Sequence, residues 1–356
     1  MKYLPLGQPI TGPTVWRGED LARSTDWIRP FGAAAVAEID AALRTVQARG
    51  LAWGDIAKAD FPLPGVAAEL AQVNRELEWG RGLVLLRGLP VERYSEEELR
   101  TIWWGLGCHL GTAVHQNAHG ELIGEVRDEV RLYGEVAQPA VPRSEGLTSR
   151  AKARSSGPLR WHTDRCDVVG LLCVRAARRG GTSRVVSVPA VSNAIRERRP
   201  DLHALLCADY HRSRQGEEAG GEASCYALPI FAMRDGKFTT QYSRTFVEAA
   251  QKIPGIPRLT AQQDEALDLL AAVCDEYGYE MVLEPGDIQL LNNHVIYHGR
   301  TAYEDAPGAG RDRLLMRLWL APPDSRPLPE GFEALWGTTQ GGAVRGGIAQ
   351  PASARA

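Results

Sequence analysis

The segment Arg160 to Leu172, RWHTDRCDVVGLL, has the apolar content of a β-strand, yet it carries His162 and Asp164 two positions apart. Side chains at i and i+2 of a strand share a face, so these two point the same way from Cα atoms ~7 Å apart. A strand inside a large chain normally turns apolar groups to its buried face. A histidine and a carboxylate in that place call for a fold whose strands enclose a polar pocket or a cation. For an isolated His-X-Asp, a hydrogen-bonded pair or a solvent-facing pair is the plainer explanation, so the weight falls on what the remaining strands carry.

The chain has 356 residues, 44% of them hydrophobic, enough for a large core of ordinary globular composition. A net charge of −3 supplies no global field for nucleic acid or an anionic membrane, and the short basic run Arg175 to Arg179 reads as solvated surface. Six cysteines (Cys108, Cys166, Cys173, Cys207, Cys225 and Cys274) lack the paired spacing of a zinc site and the density of a disulfide framework. A reducing, cytoplasmic setting is expected. The opening MKYLPLGQPITGPTVW has no continuous apolar run, and eighteen consecutive apolar residues occur nowhere, so neither a leader nor a membrane span is expected.

Residues 1–31 are punctuated by Pro and Gly and are expected to wrap the surface, ahead of a main domain over 32–335. Val36, Ile39, Leu43 and Val46 predict a helix from Ala34 to Gly50. GLVLLRGLP, Gly82 to Pro90, predicts a short buried strand. Ser95 with Glu98, and Thr260 with Gln263, form capping boxes that open helices, the second burying Leu267, Leu270, Cys274 and Tyr277. From Leu122 onward short strands and turns are expected to dominate. Two polar segments, Gln138 to Pro158 and Arg212 to Ser224, are long enough to act as lids over a site, or are surface insertions. The tail, 336–356, small and polar from Gly341, is expected to be disordered. No internal repeat is present, which argues against a solenoid or propeller.

Three further features bear on the first strand. PGDIQLLNNHVIYHGRT carries His298 at a strand end, which adds a second histidine to His162 and Asp164. Two histidines and one carboxylate on one face of a metal are the facial triad of non-haem Fe(II) oxygenases. His294 competes, but it lies roughly 13 Å from His298 if the strand is continuous, and the HGR end favours His298. In RDRLLMRLWLAP, alternation puts Arg313, Leu315, Arg317 and Trp319 on one face and Leu314, Met316, Leu318 and Leu320 on the other. Two arginines on so apolar a strand need anions, and their spacing of about 13 Å implies two separate ones. Protein carboxylates at a barrel rim would serve as the bland alternative. RRGGTSRVVSV, Arg178 to Val188, makes a Gly-Gly turn with Thr182 and Ser183 beyond it; either hydroxyl could assist a carboxylate held by an arginine.

Taken together, LVLLRGLP, WHTD, GGTS, PGDIQLLNNHVIYHGRT and RLLMRLWL resemble the Fe(II)- and 2-oxoglutarate-dependent dioxygenases of the taurine dioxygenase type, the TauD/TfdA family. The likeness runs from Gly82 to Pro323. It implies a mainly β fold with flanking helices, a double-stranded β-helix (jelly roll, clavaminate synthase-like). It also implies His162, Asp164 and His298 as ligands of Fe(II), Arg313 on the distal carboxylate of 2-oxoglutarate, and Ser183, or Thr182 if the turn shifts, assisting it. Arg317 falls where taurine dioxygenase contacts its sulfonate, and His115 lies near another substrate position of the family. Pro158 stands where that enzyme has a substrate-binding asparagine, which argues against taurine itself.

The reaction so implied consumes O2 and 2-oxoglutarate, releases succinate and CO2, and hydroxylates or desaturates an unactivated C–H bond of a small molecule, anionic if Arg317 binds it. Halogenases of the superfamily lack the carboxylate ligand, so Asp164 favours hydroxylation or desaturation. A metal-binding jelly roll without oxidative turnover, cupin-like or a zinc hydrolase, would use the same ligands but has no need of Arg313. A dinucleotide site is not expected, because no strand leads into a glycine-rich turn and helix. Neither nucleic acid nor membrane is an expected partner, and a homo-oligomer is left open.

Overall fold

The strand Leu314–Ala321 sets the layering. Its Leu314, Met316, Leu318 and Leu320 join one core cluster with Trp103 and Leu106, while Leu315, Trp319 and Ala321 join another with Val185, Ile296 and Tyr297. Leu83–Arg87 alternates in the same way, Leu83 and Leu85 to one cluster, Val84 and Leu86 to the other. Both strands belong to a sheet covered on two faces, which is why they read as apolar runs interrupted only by Arg317 and the terminal Arg87.

The computed structural model describes residues 7–129, 154–215, 217–218, 222–306, 310 and 312–348. Positions 138–153 of the first polar segment, and 216 and 219–221 of the second, lie outside the described residues. A seven-stranded sheet runs in the order Ile28–Pro30, Leu83–Arg87, Ile288–Asn292, Val168–Arg175, Leu314–Ala321, Thr112–Ala113, with Ile123–Val126 also on Leu314–Ala321. A four-stranded sheet runs Tyr279–Met281, Ser183–Ser187, Ile296–Arg300, Leu159–His162. Helices Ala33–Ala48, Val66–Trp79 and Glu96–Leu110 cover the outer face of the larger sheet, and Ala261–Tyr277 packs beside the smaller one. No helix among the described residues is long and apolar enough to cross a membrane.

The predicted caps are present: Ser95 Oγ accepts from Glu98 N, and Thr260 Oγ1 from Gln263 N. The structure departs from the sequence reading in four places. Val188–Arg198 and Pro200–Leu206 are helices where strands and turns were expected. Ser187 caps the first through Ala190 N, and Pro189 occupies its first turn, a start signal masked by the β-branched run before it. PGDIQLLNNHVIYHGR is two strands in different sheets, because Asn293–Val295 turns between them.

The N-terminal segment does more than wrap the surface. It buries Trp16, Leu21 and Trp27, and Ile28–Pro30 pairs in parallel with Leu83–Arg87. The tail from Gly341 to Ile348 is not disordered but docked. Arg345 is 3% exposed, and its Nη2 donates to Asp167 Oδ1 at 2.6 Å and to the Arg326 carbonyl at 2.6 Å. This buried ion pair, with backbone hydrogen bonds from Gly342, Gly346, Gly347 and Ile348, holds a stretch whose small residues conceal it. Breaking a buried pair leaves an uncompensated charge, at a cost of roughly 3 to 5 kcal/mol. Arg345→Leu is therefore expected to lower the urea unfolding midpoint by that equivalent, and an unchanged midpoint would contradict a docked tail.

Candidate metal centre and its two cavities

Leu159–His162 and Ile296–Arg300 are antiparallel neighbours, and their register sets His162 opposite His298, with ring centroids 4.2 Å apart. Asp164 follows two residues on, where the chain turns toward the larger sheet, and its backbone N–H donates to Asn293 Oδ1 at 3.1 Å. The sequence alternation and the pairing together converge the three side chains. His162 Nε2 lies 4.0 Å from Asp164 Oδ1, His298 Nε2 lies 3.8 Å from Asp164 Oδ2, and one ligand atom from each lies within 4.8 Å of the others.

The protonation of this cluster suits a cation. His162 Nδ1 donates to the Arg160 carbonyl at 2.8 Å, which leaves the Nε2 lone pair facing Asp164. Burial, helped by His162, pushes His298 down to about 3, so its imidazole is neutral. Burial alone would raise Asp164, but the guanidinium of Arg317 first, with the adjacent rings of His298 and His162 and the Trp319 N–H at 3.0 Å, holds it below the usual carboxylate range. Two imidazole nitrogens and one carboxylate are the donor set for a divalent first-row metal such as Fe(II).

His294 is no part of the cluster. It is fully buried within the turn, its Nε2 donating to Asp167 Oδ1 at 2.7 Å and its Nδ1 paired with the Thr239 hydroxyl at 2.7 Å. Burial outweighs Asp167 and brings it to about 4.

Two cavities meet at the triad. The larger, about 210 Å³, is walled by His162, Asp164, Arg214, Arg317, Trp319 and Ile348 among others. The smaller is walled by His162, Ser183, His298, Arg300, Arg313 and Arg317. His162 and Arg317 border both. Arg313 is 5% exposed, and its Nη1 has no hydrogen-bond partner among the described residues. Burial pulls its pKa below the ordinary arginine value. A guanidinium held this way is suited to an incoming carboxylate.

Ser183 reaches the smaller cavity, its hydroxyl donating to Gln289 Oε1 at 3.0 Å. Thr182 is not among the described residues that line it; its backbone N–H is taken by Thr301 Oγ1 at 3.0 Å. Arg317 stands beside Asp164 on the wall of the larger cavity. Its Nη1 is 3.5 Å from each Asp164 oxygen, and its Nε donates to Gln116 Oε1 at 2.7 Å. His115 is not among the described residues that line either cavity, and its carbonyl accepts from Ile348 N at 2.8 Å.

Sequence reasoning missed Gln116, Arg300, Arg214 and Ile348. Arg300 directly follows the HG of HGR, and its Nη2 donates to the carbonyls of Ser155 and Gly157 at 2.6 Å each. The tripeptide itself was the available signal. For Gln116 there was only its place beside His115, and for Ile348 nothing.

The family model described as taurine catabolism dioxygenase TauD, TfdA family, matches residues 45–319. FR-33289 synthase of Streptomyces rubellomurinus is 32% identical over 93% of this chain and 96% of its own length. The taurine hydroxylase-like protein SAT17 of Stachybotrys chartarum is 28% identical over 89% of this chain and 83% of its own. Among solved structures, asparagine oxygenase in complex with Fe(II), 2S,3S-3-hydroxyasparagine and succinate superposes with a TM-score of 0.60 at 20% identity, covering 83% of this chain and 93% of that one. At that identity the likeness shows a shared fold.

The geometry makes the metal assignment testable. His162→Ala, Asp164→Ala and His298→Ala should each weaken Fe(II) binding by well over the roughly 10- to 100-fold typical of an outer-shell change, whereas His294→Ala should retain one Fe(II) per chain. Equilibrium dialysis with ferrous ion under argon checks this. Loss of metal from the His294 variant together with retention in His298→Ala would refute the assignment.

Proposed function

The chain belongs to the TauD/TfdA family and is an Fe(II)- and 2-oxoglutarate-dependent oxygenase; from that premise we propose that it hydroxylates an unactivated C–H bond of a small molecule bearing an anionic group. The observation that carries the reading is the metal triad standing between a cavity where the buried Arg313 has an Nη1 without a hydrogen-bond partner among the described residues and a larger cavity with several cations. The two sheets are read as the two halves of a double-stranded β-helix; their shared core cluster supports this.

His162, Asp164 and His298 would hold Fe(II). Arg313, with Ser183 beside it, would take the far carboxylate of 2-oxoglutarate. Bound there, metal and cosubstrate supply the activation of O2, with 2-oxoglutarate leaving as succinate and CO2. The chain's own work is placement. Trp319 and Arg317 fix Asp164, and Arg160 fixes the His162 tautomer. Arg160, Arg165 and Arg244 are ion-paired with Glu248, Glu222 and Asp268 around the larger cavity. Arg317 meets Asp164 only at 3.5 Å, and Arg214, 7% exposed, meets Glu222 only at 3.6 Å through an Nη1 with no hydrogen-bond partner among the described residues. These two are the least neutralised cations on the wall, and they favour an anion in the substrate. Phe246, Trp319, Leu335 and Ile348 supply the apolar surface that excludes water.

Retention of Asp164 supports hydroxylation or desaturation over halogenation. All six cysteines are free thiols, which supports a reducing, cytoplasmic setting.

The test is succinate formation that needs both Fe(II) and 2-oxoglutarate and is stimulated by one member of a panel of small anionic molecules. With that substrate, Arg313→Leu should raise the KM for 2-oxoglutarate, because a charge-assisted carboxylate contact is worth roughly 2 to 5 kcal/mol, about thirtyfold to several thousandfold. Arg317→Leu should instead raise the KM for the primary substrate. Equal damage to the 2-oxoglutarate KM from both would remove the case for an anionic substrate.

A further inference from the structure

One wall of the larger cavity comes from the docked C-terminal strap, Gly341 to Ile348. Ile348 is 2% exposed and lines the cavity, as does Leu335 just before the strap. The strap is stitched to the neighbours of residues already placed at the site. Gly347 N donates to the carbonyl of Arg165, next to the ligand Asp164, at 2.6 Å. Ile348 N donates to the carbonyl of His115, next to the Gln116 that holds Arg317.

The close approach needs Gly346 and Gly347, whose φ values are +72° and +64°. A Cβ at Gly346 would lie 2.7 Å from the Arg165 carbonyl oxygen, and one at Gly347 would lie 2.8 Å from Val114 Cβ. One residue earlier, Arg345 is locked onto Asp167, which burial would raise but which the His294 hydrogen bond and Arg345 hold below the usual range. An ion pair, two left-handed glycines and two backbone hydrogen bonds thus fix where the Ile348 side chain stands.

We propose that Ile348 is a specificity-determining residue, setting the depth of the apolar part of the substrate chamber that also holds the cations Arg214 and Arg317. The ligand class that fits is an amphiphilic anion. Its charged group meets the guanidiniums, and its hydrocarbon part packs on Ile348, Leu335, Phe246 and Trp319. This rests on reading the larger cavity as the substrate chamber.

The probe is 8-anilinonaphthalene-1-sulfonate, an aromatic anion, titrated by fluorescence into the anaerobic Fe(II)–2-oxoglutarate holoenzyme. Ile348→Ala, which enlarges the chamber, should tighten the dye by about threefold or more, and Ile348→Trp, which fills it, should weaken it by about tenfold or more, the range that a few carbons control in an apolar pocket. In both variants the visible absorption of the Fe(II)–2-oxoglutarate complex should match wild type, which shows an intact fold and metal centre. Dye affinities within twofold across the three proteins, or no saturable site in any of them, would overturn the role of Ile348. Absence of Fe(II)- and 2-oxoglutarate-dependent succinate from wild type would instead sink the oxygenase reading, so the two failures are distinguishable.

Discussion

A buried carboxylate stays ionised only where cations and donors outweigh its lost hydration, and the site is organised around one such group, Asp164. Arg317, the Trp319 N–H and two imidazoles surround it. The long strand of the larger sheet contributes Arg317 and Trp319 at i and i+2, and the smaller sheet contributes His162 and His298 as a cross-strand pair. The ligand cluster therefore requires both sheets in register. A slip of one residue in Leu314–Ala321 would exchange Arg317 and Trp319 for leucine and methionine at the metal.

The four residues from Asp164 to Asp167 carry two structural demands. On one side Asn293 binds them, its Oδ1 accepting from Asp164 N and its Nδ2 donating to the Cys166 carbonyl. On the other the C-terminal strap grips Asp167 and Arg165. The proposed metal ligand, a wall of the larger cavity and the tail attachment thus share one turn of chain. His294, the strongest rival for the second histidine ligand, belongs to this support: it hydrogen-bonds Asp167 and stands outside the cluster that His298 forms with His162 and Asp164.

Much of this was legible wherever a strand is long and its two faces differ chemically. The alternation in RLLMRLWL separates helix-facing leucines from the inward Arg317 and Trp319, and the same period of two exposes His162 and Asp164. Capping boxes at Ser95 and Thr260 marked helix starts because a side chain satisfies the first-turn N–H groups locally. What was hidden depends on distant partners. Arg345 meets Asp167 across 178 positions, and nothing in GGAVRGGI announces a buried cation. The helix Val188–Arg198 follows a β-branched run whose local preference is for strand, and burial of Val188, Val191 and Ile195 overrides it. Asn292–Asn293 broke a stretch that looked like one strand, so the spacing of His294 to His298 was judged along a line that the chain does not follow.

The central claim is that one iron sits between His162, Asp164 and His298 with 2-oxoglutarate reaching back to Arg313. The most direct measurement is anomalous diffraction at the iron edge from crystals grown anaerobically with Fe(II) and 2-oxoglutarate. The account predicts a single anomalous peak bonded to the Nε2 atoms of His162 and His298 and to an Asp164 oxygen, with the free carboxylate of 2-oxoglutarate on Arg313. A peak bonded to His294 and Asp167, or a cosubstrate carboxylate lying on Arg317 with Arg313 unused, would contradict it.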